Sequence, residues 1–301
     1  MHIALIGYGE VGRILAEDLR AAGHGVRAFD LKLHTEAGPT LRAHAENLGV
    51  QLADSHAQAV MGAVLVVSAV TASQAVAVAE ACGPGLAAGA FFLDVNSASP
   101  GAKAGAAEVV NAAGGRYVEG AVMTSVPPYR LKVPLLLGGP DAAALKPLLD
   151  ELGFAARVHS AMLGVASATK MCRSVMIKGL EAMVIESLTT ARHYGVEDAV
   201  IASLQETFPG IAWEQQASYF FQRVIEHGRR RSEEVCEVAV TVREAGLVPH
   251  SAAGTAERQA CMADLADAGV FGVRGEAGFA RSADWRIEAD RMLAAVQKES
   301  A

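Results

Sequence analysis

The chain has 301 residues, of which 51% are hydrophobic, enough for one large or two medium domains with a sizeable core. Its formal net charge of -7 argues against a general nucleic-acid binder, which would carry a basic excess. The four cysteines, Cys82, Cys172, Cys236 and Cys261, show no Cys-x-x-Cys spacing and no neighbouring histidine cluster, so free thiols in a reducing compartment fit better than a disulfide frame or a zinc site, and no metal is expected.

The N-terminus runs straight into "MHIALIGYG", with no basic region, long apolar run and cleavage site in series, and no later apolar run is long enough to span a bilayer. A cytoplasmic protein with no membrane partner is expected. "HIALIG", "GVRAF", "VLVVSAV" and "FFLDVN" read as strands, and "EVGRILAEDLRAAG", "TLRAHAENLG" and "SQAVAVAEACG" as helices between them. Apolar strands alternating with helices predict βαβ units and a parallel sheet covered on both faces. "YVEGAV" and "VPLLLGG" add two strands, and the strand signals cease near Ala161. Gly164 to Val196 contains no proline and reads as one long helix. Four helical stretches follow: "IAWEQQASYFFQRVIEHG", "RRRSEEVCEVAVTVREAG", "SAAGTAERQACMADLADAG" and "SADWRIEADRMLAAVQKES".

Gly7, Gly9 and Gly12 form a G-x-G-x-x-G that follows the first strand and opens the first helix. Such a loop makes a tight turn, lets a pyrophosphate approach the backbone, and presents the free N–H groups of a helix N-terminus to it. The next strand ends in Asp30, where an acid accepts hydrogen bonds from an adenosine ribose diol and repels a 2′-phosphate. NAD is therefore the expected cofactor. Lys32, Arg27 and His34 lie close enough in sequence to leave NADP open. The expected fold is α/β: a doubly wound Rossmann-type parallel sheet over 1–160, then a long interdomain helix and an all-helical substrate and dimerisation domain over 161–301.

The glycine motif, the segment "FLDVNSASPGAK" and the long helix carrying Lys170 together resemble the β-hydroxyacid dehydrogenase family, which includes 3-hydroxyisobutyrate and 6-phosphogluconate dehydrogenases. The resemblance covers the whole chain and is stronger in its first half. That family carries Asp-x-Ser-Thr-x-x-Pro after a late strand; Asp94, Asn96, Ser97 and Pro100 match its spacing. The resemblance implies Ser97 near the nicotinamide ribose and Asn96 near the substrate. A plain Asx-type turn closing a strand is the alternative. With the glycine loop, the resemblance makes Gly7, Tyr8, Gly9, Glu10, Val11, Gly12, Asp30, Val70, Thr71 and Ser97 the expected cofactor contacts.

The family's catalytic lysine lies in Gly-x-Gly-x-x-x-Lys-x-x-Asn. Gly164, Ala166 and Lys170 match its spacing, with Ala166 in place of the second glycine and Arg173 in place of the asparagine. The resemblance implies that Lys170 is the general acid/base. The competing reading places Lys170, Arg173, Ser174, Lys178 and Glu181 on a solvated helix face. A free lysine, with pKa about 10.4, must be lowered by desolvation or a like charge to act as a base near neutrality. Arg173 offers such a charge, or a fork for a substrate carboxylate.

Two departures stand out. The family's Asp-Ala-Pro-Val-Ser-Gly-Gly run is here "EGAVMTS", so Met123, Thr124 and Ser125 are the expected substrate-loop residues, with Arg173 and Ser174 beside them. Arg130 and Lys132, just beyond, suggest a larger anionic substrate. A Lys-Asp pair on a C-terminal helix is replaced by Glu233 and Glu234. The preceding Arg229, Arg230 and Arg231 read most simply as a solvated face, with an anion clamp as the minority reading. The resemblance thus implies NAD(P)-dependent oxidation of a small or medium hydroxyacid by a homodimer. Imine or carbonyl reduction on the same scaffold and a non-catalytic NAD(H) sensor are the alternatives.

Overall fold

The structure is a computed structural model that describes residues 1–280, 282 and 284–299. Ala283 and Ser300, in the last helical stretch read from the sequence, lie outside the described residues. The chain divides into two compact units, Met1–Cys172 and Arg173–Ala301.

The first unit alternates strand and helix: β1 (His2–Ile6), α1 (Glu10–Ala21), β2 (Gly25–Phe29), α2 (Gly38–Leu48), β3 (Gln51–Leu52), α3 (His56–Val60), β4 (Leu65–Ser68), α4 (Ala75–Cys82), β5 (Phe91–Asp94), α5 (Pro100–Ala112), β6 (Arg116–Val122), β7 (Leu135–Gly138), α6 (Ala142–Glu151), β8 (Ala156–Ser160) and the start of α7 (Val165–Tyr194). The sheet order is β3-β2-β1-β4-β5-β6-β7-β8. Strands β1 to β6 are mutually parallel; β7 runs antiparallel to β6, and β8 runs parallel to β7. The sheet is therefore mostly rather than wholly parallel. The reversal follows from the connection between β6 and β7, which holds one short 3₁₀ turn at Arg130–Lys132 and no crossover helix. β1 and β4 are buried on both faces, as continuous apolar runs covered by helices must be.

The second unit holds the rest of α7 with α8 (Glu197–Thr207), α9 (Trp213–Glu244), α10 (His250–Asp267) and α11 (Trp285–Glu299). Its core joins Ile185 and Leu188 of α7, Phe221, Val224 and Ile225 of α9, Met262 of α10 and Trp285 of α11. The two stretches expected as separate helices on either side of Gly228 form the single helix α9. Gly228 is not a helix end. A Cβ there would stand 2.8 Å from the Gln259 carbonyl and 3.3 Å from Ala263, so glycine permits the close crossing of α9 and α10.

The polar stripe on α7 corrects the solvated-face reading. Ser174, Lys178 and Glu181 are all buried. Lys178 donates to Glu234 Oε2 at 2.7 Å, and burial, outweighing that carboxylate, lowers its pKa. Glu181, 1% exposed, pairs with Arg231, itself 3% exposed, and accepts from Gln259 Nε2 at 3.4 Å. Arg231 is thus a buried ion-pair partner, whereas Arg229 and Arg230 are exposed, the first bound to Asp264 and Asp267 and the second to Glu234. Lys178→Ala is expected to destabilise the protein by about 1–2 kcal/mol in urea unfolding. The loss is moderate because Glu234 keeps Arg230 as a partner. An unchanged midpoint would restore the solvated-face reading.

Candidate functional site

The glycine loop is built by steric exclusion. Gly7 has φ of +95°, and a Cβ there would be driven into the Ala69 carbonyl beyond β4. A Cβ on Gly12 would collide with the Gly7 carbonyl, so helix and loop pack at backbone distance. A Cβ on Gly9 would meet nothing within 4 Å. The loop is therefore closed on its sheet side and open above Gly9, at the N-terminus of α1, which has no side-chain cap. That is the cradle a pyrophosphate needs. Glu10 and Val11 begin α1, and Val70 and Thr71 follow β4, with Val70 against Gly7. The Tyr8 ring is instead core: it is fully buried, its hydroxyl bonds His44 Nδ1 at 2.9 Å, and burial raises its pKa to about 12.

Asp30 directly follows β2 with both carboxylate oxygens engaged: Oδ2 accepts the Tyr8 N–H at 2.7 Å and Oδ1 the Lys32 N–H at 2.8 Å. Each oxygen retains a lone pair for a ribose hydroxyl. Arg27 donates to the carbonyls of Gln58 and Met61, both at 3.0 Å, and so is committed elsewhere. NADH is therefore expected to bind more tightly than NADPH when both are titrated by fluorescence. A preference for NADPH would assign the 2′-phosphate to Lys32 and His34.

The segment after β5 is fixed residue by residue. Asp94, 1% exposed, forms an ion pair with the equally buried Lys103 at 2.8 Å, and takes the Tyr117 hydroxyl at 2.7 Å and the Asn96 N–H at 2.9 Å. Lys103 also donates to the Asp94 carbonyl. Asn96, expected to face substrate, is engaged at both ends of its amide, with one N–H still to spare: Oδ1 accepts from Val70 N at 2.6 Å and Nδ2 donates to Ser68 Oγ at 3.0 Å. It braces the ends of β4 and β5. Ser99 caps α5, with Pro100 at its first turn. Ser97 sits between these anchors.

The helix bearing Lys170 begins on the same spot. Gly164, with φ of +89°, lies close to Pro100, so the two expected motifs touch. Glu119 of β6 is fully buried; its Oε1 accepts from Ala166 N at 3.0 Å, and its Oε2 from Ser167 N at 3.2 Å and Ser167 Oγ at 2.7 Å. A carboxylate from the sheet thus caps α7, where Gly164 has no side chain to do so. One turn further on, Lys170 Nζ donates to Ser97 Oγ at 2.6 Å. Arg173 and Ser174 follow on α7 within the second unit. Sequence reasoning missed Lys103, Tyr117 and Glu119. The available signals were a lysine on the apolar stripe Ala106, Ala107 and Val110 of α5, and a glutamate inside an apolar strand.

The substrate-loop residues divide. Met123 continues the ladder, donating to the Pro134 carbonyl at 3.0 Å, and packs beside Ala121, Leu136 and Ala166. Thr124 is exposed and Ser125 half-buried. Arg130, expected to attract an anionic substrate, is committed to α1: Nε donates to Asp18 at 2.8 Å and Nη2 to Glu17 at 2.7 Å. The Arg130 bond to Glu17, and after it a bond to His44, hold the Glu17 carboxyl below its usual pKa. Arg130 has φ of +53°, a conformation that costs a non-glycine residue about 1–2 kcal/mol.

Residues 2–164 match the NAD binding domain of 6-phosphogluconate dehydrogenase, and residues 191–262 match a domain of unknown function, DUF1932. A conserved hypothetical protein of Sinorhizobium meliloti 1021 is 36% identical, with TM-score 0.74 and coverage of 97% of this chain and 96% of that one. The 3-hydroxyisobutyrate dehydrogenase of Pseudomonas aeruginosa is 28% identical over 218 residues, 70% of this chain and 71% of its own. The fold recurs at 16% identity and TM-score 0.72 in a Mycobacterium tuberculosis 3-hydroxyisobutyrate dehydrogenase, covering 97% of this chain and 98% of that one. With the NAD-binding domain matched over more than half its length, the chain belongs to the β-hydroxyacid dehydrogenase family.

Proposed function

We propose that the protein is an NAD(P)-dependent oxidoreductase that reversibly oxidises a CH–OH group of a hydroxyacid, with Lys170 as general acid/base. The observation that carries this reading is the 2.6 Å bond from Lys170 Nζ to Ser97 Oγ, which joins two segments 73 residues apart. Gly7, Gly9 and Gly12 would hold the pyrophosphate and Asp30 the ribose, and the nicotinamide supplies the hydride acceptor. Lys170, in its amine form, takes the hydroxyl proton as the carbinol C–H electron pair leaves as hydride, so the alcohol loses two electrons and becomes a carbonyl. Ser97 would hold the amine; it lies in the chain between Asn96, anchored to Val70 and Ser68, and Ser99, which caps α5. Arg173 would bind the carboxylate of the acid, for which its fork is suited.

The test is a panel of hydroxyacids with NAD and NADP, and of cyclic imines with the reduced cofactors, followed at the nicotinamide absorbance. Turnover of a hydroxyacid is the expected result. Turnover of imines alone would move the reading to imine reduction. Tight dinucleotide binding with neither reaction would favour a sensor. Because Met123, Thr124 and Ser125 replace the flexible Ser-Gly-Gly of relatives, 3-hydroxyisobutyrate itself is expected to give a specificity constant below about 10⁴ M⁻¹s⁻¹.

A further inference from the structure

We propose that Arg130 is a positioning residue that couples the dinucleotide loop to the Met123–Val133 segment, so that cofactor binding orders the substrate wall. The proposal rests on the oxidoreductase reading above. A continuous polar relay joins the two places. Tyr8, inside the glycine motif, bonds His44 Nδ1 through its hydroxyl at 2.9 Å. His44 Nε2 meets Glu17 Oε1 at 3.0 Å, and the other Glu17 oxygen accepts from Arg130 at 2.7 Å. Arg130 also holds Asp18 at 2.8 Å and reaches the Ile14 carbonyl at 3.4 Å. The guanidinium therefore grips α1 at three residues within two turns of the glycine loop.

The backbone explains why an arginine stands there. At φ of +53° glycine is the default residue. A side chain kept in that conformation must contribute something glycine lacks. Here it is a planar fork reaching two carboxylates, which lysine's point charge does not reproduce. Only the tip of the segment is loose: Pro127, Pro128 and Tyr129 are exposed, and the two prolines stiffen it without supplying N–H donors, whereas Val126, Leu131 and Val133 are buried on either side. Its start is anchored differently, since Met123 pairs with Pro134 and packs beside Ala166, one turn before Lys170. The segment thus spans from the start of the lysine helix to the helix that receives the pyrophosphate. A displacement of α1 or of Tyr8 on dinucleotide binding is carried by the relay to the wall that Thr124 and Ser125 form.

Hydrogen exchange of the 301-residue chain with and without saturating NADH, and in parallel NADPH, tests this. In the wild type, dinucleotide should slow exchange at 7–12 and also across 123–133, the latter by about fivefold or more, the low end of ordinary site-to-site coupling. Arg130→Gly keeps the left-handed backbone comfortable and removes the fork. Glu17→Gln breaks the relay at its middle and leaves Asp18 in place. In both, protection at 7–12 should persist while the response of 123–133 drops, to less than about twofold in Arg130→Gly. A merely structural staple predicts faster exchange of the segment with its response to NADH intact, and that result overturns the proposal. So does a wild-type segment that ignores NADH while 7–12 is protected. Failure of both dinucleotides to protect 7–12 sinks the oxidoreductase reading itself.

Discussion

Lys170→Ala is expected to lower turnover by about 10²–10⁴-fold on any accepted substrate, the usual contribution of a positioned acid/base. Dinucleotide affinity should stay nearly intact, because the lysine is assigned to the substrate proton and not to the pyrophosphate or adenosine ribose. Lys170→Arg should not restore the rate, since a guanidinium does not release its proton near neutrality. The control must be a lysine whose loss is silent. Lys178 cannot serve, because it is buried against Glu234. Lys146 can: it is half-exposed and pairs with Asp150 on the same helix, a contact worth a fraction of a kcal/mol. Steady-state kinetics and cofactor titration of the three variants decide the matter. Wild-type turnover in Lys170→Ala would remove the lysine from the mechanism and leave the 2.6 Å contact with Ser97 as a structural hydrogen bond.

The parts of this site legible in the sequence are those whose determinants lie close together in it. The strand, glycine loop, helix and Asp30 occupy one short run, in which Gly12 packs on the Gly7 carbonyl and Gly9 is left open. Lys170 was legible only by spacing against a family motif, and its partner Ser97 is 73 residues away. What the sequence hid has a common cause. Polar residues at helical spacing look the same whether they face water or a partner helix, so Lys178, Glu181 and Arg231 read as a solvated face until α9 and α10 were placed over α7. Arg130 read as a cation awaiting a ligand because Glu17 and Asp18 lie 113 and 112 residues upstream. The short strand β3 and the edge strand β8, three of whose five residues are exposed, carry too little apolar pattern to announce themselves.

Glu119→Gln is expected to cost about 2–4 kcal/mol of stability, combining lost charge-assisted hydrogen bonds with the lost anion at a helix N-terminus. It should also lower kcat with little change in KM for the cofactor. The carboxylate accepts the N–H groups of Ala166 and Ser167 and the Ser167 hydroxyl; an amide offers one acceptor oxygen and turns two donors toward groups that are themselves donors. The first turn of α7 then loosens, and Lys170 sits one turn further on. Gly138 supplies an independent route to the same defect. It pairs with Glu119 across the antiparallel β6–β7 ladder, and a Cβ there would overlap the Glu119 carboxylate. Gly138→Ala should therefore displace the cap without removing it, and reproduce the Glu119→Gln signature in weaker form. Both variants act through one contact, so their combination should fall short of the sum of the two losses. Urea unfolding and kinetics of the single and double variants test the coupling. Strict additivity, or a stability loss in Glu119→Gln with an unaltered rate, would separate the cap from the placement of the lysine.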